Sequence, residues 1–364
     1  MNSLPAVADT PAPRGRGAAT RLAHRFCAEA RDPVDDGWES LAQEAGTPWP
    51  ATEVTWEDAR SAITRNDSPD LYFDRALNPY RGCEHGCIYC FARPSHAYLN
   101  LSPALDFETR LIARPGIDAV LERELRSKTY SVATVAIGTN TDPYQPVEGE
   151  HRLMRRVVQV LSDFNHPLAI TTKGTLIERD IDLLAPMAAK GLLRVGISVT
   201  TLDPRLSRSC EPRAPLPQRR LATIRRLSEA GIPVRVMVAP VIPGLTDPEL
   251  DPILEAAAEA GATGASWIML RLPLEVSPLF RDWLDRHVPD RAAKVMARVR
   301  DVHGGKDYDP DWGRRMRGEG IWSDLIAQRF GLAIRRYGLA KDMPPLRTDL
   351  FSPPPRAGDQ LSLF

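Results

Sequence analysis

The chain has 364 residues, 43% hydrophobic and 26% charged, enough for one large core with small appendages. Its 47 Lys and Arg balance 47 Asp and Glu, which excludes a whole-chain polyanion-binding surface and leaves only a local one. No apolar run nears the roughly 18 residues that cross a bilayer, and the N-terminus lacks the apolar stretch of about 7–15 residues of a secretory signal, so a soluble, cytoplasmic protein with no membrane partner is expected.

Residues 1–22 are rich in Pro, Ala, Gly and Arg without periodicity, which predicts disorder. An acidic, Trp-bearing lead-in follows over 23–74. Over 75–273, short β-branched runs at 131–138, 167–172, 192–200, 233–240 and 265–272 alternate with helical patterns at 117–126, 150–163, 178–190, 218–230 and 248–260. Two of these helices stop at the pairs Ala230-Gly231 and Ala260-Gly261. With one strand before Cys83, about six βα units result, an α/β arrangement whose right-handed winding closes toward a partial TIM-like barrel. Residues 274–340 read as helices only, at 278–287, 291–302 and 321–337. Residues 341–364 begin Pro-rich and read as a flexible tail.

The chain has five cysteines, and the stretch NPYRGCEHGCIYC over 78–90 holds three of them, Cys83, Cys87 and Cys90. Such a cluster is no disulfide framework; in a reducing compartment it points to metal or catalysis. A structural zinc site wants four protein ligands, and His85 or His96 is available as the fourth. Three thiolates alone suit an iron–sulfur cube with one iron left open for a substrate or cofactor. Gly82 and Gly86 fit a loop wrapped closely around such a cube.

The spacing Cys-x3-Cys-x2-Cys, with Tyr89 before the last cysteine and βα units following, resembles the radical S-adenosylmethionine (SAM) superfamily. Within it, NPYRGCEHGCIYCFARPSHAYL, AIGTNTDPYQPVE, TTKG, SCEPRAP and APVIPGLTD are similar to the branch of spore photoproduct lyase, often labelled DNA repair photolyase, over residues 66–339. The resemblance implies a partial (β/α)6 TIM-like barrel of the radical SAM type, with a short N-terminal lead-in and a C-terminal helical extension. It implies a [4Fe-4S] cluster on Cys83, Cys87 and Cys90, whose open iron chelates SAM. An electron from an external donor then cleaves SAM to methionine and a 5′-deoxyadenosyl radical.

Active sites of such barrels lie at the C-terminal ends of the strands. By the resemblance, Tyr89 is a cofactor-binding residue, and Thr139, Asn140 and Asp142 stand where the superfamily meets the methionyl amino group. Lys173 matches a lysine near the methionine end, Ser198, Glu211 and Arg213 stand near the ribose or carboxylate, and Pro243 lies in the adenine loop. TDPYQP is also a competent turn by itself, and Glu211 with Arg213 also reads as a solvated pair worth under about 1 kcal/mol. The lyase's hydrogen-donating cysteine has no counterpart in GTNTDPYQP, which sets spore photoproduct repair itself aside. Cys210 and Tyr144 are the candidates for a catalytic role, each with a packing role as the alternative.

The closing QLSLF is similar to the pentapeptide with which bacterial DNA polymerases and repair proteins bind the sliding clamp. Gln360, Leu361, Leu363 and Phe364 would fill a hydrophobic groove on that partner. Residues 281–336 carry 13 Arg and Lys against 9 Asp and Glu, an excess of four suited to phosphate contacts or to ordinary surface charge. The expected activity is radical chemistry on nucleic acid, in DNA repair or modification. RNA, a peptide or a small molecule remains an alternative substrate, and a zinc-stabilised, non-enzymatic DNA-associated module an alternative class.

Overall fold

The computed structural model describes residues 15–19, 21–26 and 51–356. In chain order its strands are β1 (Glu53–Trp56), β2 (Thr64–Arg65), β3 (Arg75–Leu77), β4 (Tyr80–Arg81), β5 (Arg110–Ala113), β6 (Val135–Ile137), β7 (Leu168–Thr172), β8 (Leu193–Ser198), β9 (Val234–Val241) and β10 (Gly264–Met269). The main sheet runs β10-β9-β8-β7-β6-β3-β2, parallel from β10 to β3, with β2 antiparallel at the edge. A small sheet β1-β5-β4 stands apart from it. Helices cross between successive strands, as the alternation of β-branched runs and amphipathic stretches predicts. The architecture is the expected partial TIM-like barrel.

Period-two alternation gives each strand an outer and an inner face. The outer set, including Ile137, Ile170, Val195, Val234 and Val236, packs against helix faces such as Met154, Val157 and Leu161 in one continuous core. The inner set differs sharply. Ala76, Ala136, Ala169 and Arg194 lie in one register row, and Thr171, Gly196 and Arg235 in the next. Barrel interiors are ordinarily filled by Val, Ile and Leu; with Ala and Gly on this face, the lumen stays open.

The C-terminal helices Val276–His287, Pro289–Val302 and Gly320–Arg336 form the expected extension. The first two build a second core beneath the cysteine loop, where Phe280, Trp283, Val295 and Val299 join Cys87, Ile88, Tyr89 and Cys210. Trp283 is fully buried, stacked on Phe280 and His287 at 5.5 and 5.7 Å, and donates its indole N–H to the Ser209 carbonyl. Among the described residues no helix is long and apolar enough to cross a membrane.

Two boundaries differ from the sequence reading. Within the segment expected to be disordered, Arg16, Gly17 and Ala18 are buried because their backbone and guanidinium bind Glu108. The tail expected to be flexible from 341 instead wraps back as far as residue 356. Phe351 packs on Tyr130, Phe164 and His166, and Arg126 donates to the Pro354 carbonyl. Gln360, Leu361, Leu363 and Phe364 lie outside the described residues, as does Cys27.

Replacing Trp283 with Ala should remove the keystone of the second core. A loss of about 3–5 kcal/mol is expected for so large a buried ring, read as a lower denaturant midpoint with an unchanged slope.

Candidate active site

The cysteine loop leaves β4 at Arg81 and is held by groups distant in sequence. The buried Arg93 guanidinium donates Nε to the Cys87 carbonyl (2.9 Å), Nη2 to the Gly86 carbonyl (3.0 Å) and Nη1 to the Ala104 carbonyl (2.9 Å). Its charge is met by Glu108, equally buried. Glu108 also accepts from the backbone N–H groups of Gly17 and Ala18 at 2.8 and 2.9 Å. Gly86 sits at φ +66°, and a Cβ on Gly17 would stand 1.9 Å from the Gly86 carbonyl oxygen, so strap and loop touch backbone to backbone. From the other side, Gln145 accepts from Glu84 N–H (2.8 Å) and donates to the Gly82 carbonyl (3.2 Å).

Cys83 and Cys87 are buried and Cys90 half-buried. Burial pushes the Cys83 thiol well up, helped by Asp142 and the other two cysteines. Burial also raises Cys87 to about 12, against the opposing pull of Lys173. Thiolates at such depth require a cation beside them, so metal binding and deprotonation are coupled. Among the described residues no group of three or more His, Cys, Asp or Glu converges as the ligand set of a single ion. His85 is directed at Asp142 (3.3 Å), and His96 has Nε2 on the Arg110 carbonyl (3.0 Å). Three mutually interacting thiols on one wrapped loop fit a cube better than a tetrahedral zinc.

The residues proposed for SAM fall into two groups. Tyr89, Lys173 and Glu211 come together: Tyr89 donates its hydroxyl to Glu211, and Lys173 Nζ lies 3.9 Å from Glu211 Oε1 and 5.8 Å over the Tyr89 ring. Ser198 lies beside them, its carbonyl accepting from Arg220 at 3.1 Å. Glu211 is no solvated pair with Arg213; it is buried and its partner is Arg220. Arg213 bonds Glu84 instead, at 3.1 Å. Burial works to raise the Glu211 pKa, but Arg220 and Lys173 outweigh it and hold it at about 2. For Lys173, burial works against the charge, and Cys87 with Glu211 more than restores it, so this ammonium is raised. It is a persistent cation beside the cysteine loop, fit to meet a carboxylate.

The second group stands around this centre. Both Asp142 oxygens are taken, accepting from Thr172 Oγ1 (2.5 Å), Tyr144 N–H (2.9 Å) and Lys173 N–H (2.7 Å), with His85 at 3.3 Å. Burial opposes its charge, yet His85 and these donors hold it at about 2. Asp142 thus joins the second and third strand ends to the cysteine loop. Tyr144 is in the main core with its hydroxyl on Asp180 (3.2 Å), and Cys210 is fully buried, its sulfur 3.9 Å from the Ser207 carbonyl. Asn140 donates its backbone N–H to Asn78 Oδ1 (3.4 Å), Thr139 borders the lumen, and Pro243 is buried in the turn after β9.

The lumen is a cavity of about 590 Å³ running from Phe91, Gly138 and Thr139 beside the cysteine loop to Arg194 and Arg235 on the inner strand face. Its aromatic rings carry guanidiniums: Arg271 over Phe91 at 4.6 Å, Arg317 over Trp267 at 4.7 Å and Arg194 over Tyr72 at 4.7 Å. By contrast, arginines of 281–336 are largely matched on the surface, with Arg281 and Arg300 on Asp307, Arg286 on Asp282 and Arg298 on Asp301. The excess of four expected there for phosphate contacts is reduced by partners outside the segment, Asp70 for Arg315, Asp247 for Arg329 and Asp251 for Arg336.

Sequence reasoning missed Arg93, Glu108, Gln145 and Arg220, whose partners lie far along the chain or in other elements. It also missed Arg194 and Arg235. Their signal was present: each is the second residue of its strand, in LRVGIS and VRVMVAPV, breaking the continuous apolar run of a strand buried on both faces.

A three-thiol loop at the C-terminal end of a partial barrel, with a cation and a buried carboxylate facing it, defines a class. The family model of the Radical SAM superfamily matches residues 77–257. An uncharacterized protein of Mycobacterium tuberculosis is 38% identical over 323 residues, covering 86% of this chain and 91% of that protein. An uncharacterized protein of Methanocaldococcus jannaschii is 25% identical over 215 residues, 59% of this chain and 76% of its own length. Among solved structures, spore photoproduct lyase complexed with dinucleoside spore photoproduct matches with TM-score 0.54 at 16% identity, over 78% of each chain. The chain belongs to the radical SAM superfamily: it is a radical SAM enzyme, whose cofactors are a [4Fe-4S] cluster and S-adenosylmethionine.

Two outcomes are expected here. Arg93→Met strands the buried Glu108 charge, at a cost of about 3–5 kcal/mol, and should lower both stability and bound iron, read by unfolding and by absorbance near about 400 nm, where iron–sulfur charge transfer falls. In metal-free protein, Glu211 and Asp142 stay ionised to about pH 2 when folded but have ordinary values of 4.5 and 3.8. Their depressed pKa values contribute stability in full above the ordinary range, and that stability is lost as pH falls toward 2. Thermal unfolding between those limits should show the decline, and Glu211→Gln should flatten it.

Proposed function

We propose that this enzyme acts on nucleic acid, and specifically on DNA, in repair or modification. When bound, the [4Fe-4S] cluster supplies the electron that cleaves SAM and so the 5′-deoxyadenosyl radical that abstracts hydrogen. The chain's own residues have three tasks. Cys83, Cys87 and Cys90 hold the cluster, and the Arg93–Glu108 pair fixes the loop that carries them. Lys173 orients the methionine carboxylate, with Tyr89 and Glu211 setting its position, while Thr139 stands toward the methionyl amino group and Pro243 toward the adenine. The lumen receives the substrate and keeps water from the radical.

The observation that carries the nucleic-acid reading is the lumen's chemistry: guanidiniums over aromatic rings, beginning with Arg271 over Phe91, the residue after Cys90. Aromatic faces stack bases and arginines meet phosphates. Protein partners follow from the same reading. An external reductant delivers the electron, and the QLSLF segment docks on the sliding clamp, bringing the enzyme to DNA.

Anaerobically reconstituted enzyme, given SAM and a reductant, should release 5′-deoxyadenosine faster with damaged DNA than without it. Indifference to DNA, with stimulation by RNA or peptide, overturns the reading. Arg271→Ala should weaken DNA binding and lower its salt dependence by about one counterion. Deleting residues 360–364 should abolish retention on immobilised sliding clamp while leaving SAM cleavage intact; equal retention removes that partner.

A further inference from the structure

The inner face of β8 and β9 carries two arginines whose placement the superfamily chemistry does not explain. Arg194 stands opposite Ala169, and Arg235 opposite Gly196, so the two lie on adjacent strands, on one face, two residues apart in register. Both border the lumen. Most half-buried and buried arginines of this chain meet a carboxylate: Arg93 has Glu108, Arg220 has Glu211, Arg155 has Asp180 and Asp182, and Arg315 has Asp70.

Arg194 and Arg235 have no carboxylate within ion-pair distance among the described residues; Arg194 rests on the Tyr72 ring and Arg235 gives one N–H to the Lys341 carbonyl at 3.0 Å. The Nε of each is buried without a hydrogen-bond partner. Burial, and after it the adjacent Arg194 charge, lowers the Arg235 pKa, partly offset by Tyr72 and the more distant Asp342. Two like charges on a sheet face of alanine and glycine, with donors to spare, are stabilised by an anion that bridges them. Arginine's fixed fork matches the oxygens of a phosphate.

We propose that Arg194 and Arg235 form a phosphate seat at the end of the lumen remote from the cysteine loop. The substrate portion held in the lumen is a phosphate-bearing nucleotide fragment, its phosphate on this pair and its reacting end beside Phe91 and Gly138. The proposal rests on the nucleic-acid reading and narrows it. A cavity of about 590 Å³ accommodates a dinucleotide and excludes a duplex. The substrate is then a strand end or an excised fragment, not a base everted from continuous duplex.

The test uses the reconstituted holoenzyme and three probes: inorganic phosphate, the 5′-phosphorylated dinucleotide pTpT, and TpT. Dissociation constants are measured by calorimetry for wild type, Arg194→Gln, Arg235→Gln and the surface control Arg286→Gln. Circular dichroism and the cluster absorbance verify that each variant is folded and loaded. Each lumen variant is expected to bind inorganic phosphate and pTpT at least about tenfold more weakly than wild type, the surface variant equally well, and Arg→Lys at either site to recover part of the loss.

A wild-type preference for pTpT over TpT assigns the phosphate to a nucleotide. Loss of inorganic phosphate binding in the variants, without such a preference, keeps the seat and assigns it to another phosphorylated small molecule. Equal affinities across wild type and both lumen variants overturn the seat. Failure of DNA to stimulate SAM cleavage, with the phosphate effect intact, removes the nucleic-acid reading alone.

Discussion

One buried guanidinium organises the centre of this molecule. Arg93 collects the carbonyls of Gly86 and Cys87 within the cysteine loop and that of Ala104 beyond it, while its charge is held by Glu108. A loop that offers three thiols must keep its own backbone polar groups satisfied while leaving the sulfurs free, and few side chains serve several carbonyls at once in a fixed geometry. The same carboxylate ties the N-terminal strap to the loop through Gly17 and Ala18. Loop and strap therefore form one unit, on which the placement of the three thiols depends.

Around that unit the charges are arranged in two environments. Next to the cysteines every charge is answered: Glu211 by Arg220 and Lys173, Asp142 by His85 and backbone donors, Glu84 by Arg213. Low dielectric strengthens these pairs, and Glu211 and Asp142 keep their charge well below neutral pH. Along the lumen wall Arg194, Arg271 and Arg317 rest on aromatic rings, with no carboxylate within ion-pair distance among the described residues. The first environment suits a zwitterionic cofactor held in one pose; the second suits an anionic substrate that must come and go.

The helical extension completes the design. Its first two helices form the floor on which Cys87, Ile88 and Tyr89 sit, with Trp283 reaching the carbonyl of Ser209 beside Cys210. The cysteine loop is thus clasped between the barrel's strand ends and a separate apolar core. Cys210, the residue before Glu211, is part of that apolar core.

Much of this was legible in the chain itself. Six βα units follow from short β-branched runs alternating with amphipathic stretches, because local periodicity decides whether a segment buries one face or two. The thiol loop follows from spacing alone, since three cysteines within eight residues must share a neighbourhood. What the chain could not disclose is which distant charges meet. Glu211 was paired by proximity with Arg213, yet the fold brings it Arg220; the strap at Arg16 to Ala18 looked free until Glu108 arrived from another element. Pairing of that kind depends on the three-dimensional path of the backbone, and an ion pair in low dielectric is chosen by distance in space. For the same reason the open lumen, with Arg194 and Arg235 on its wall, appears only once the sheet curves and turns its alanine and glycine face inward.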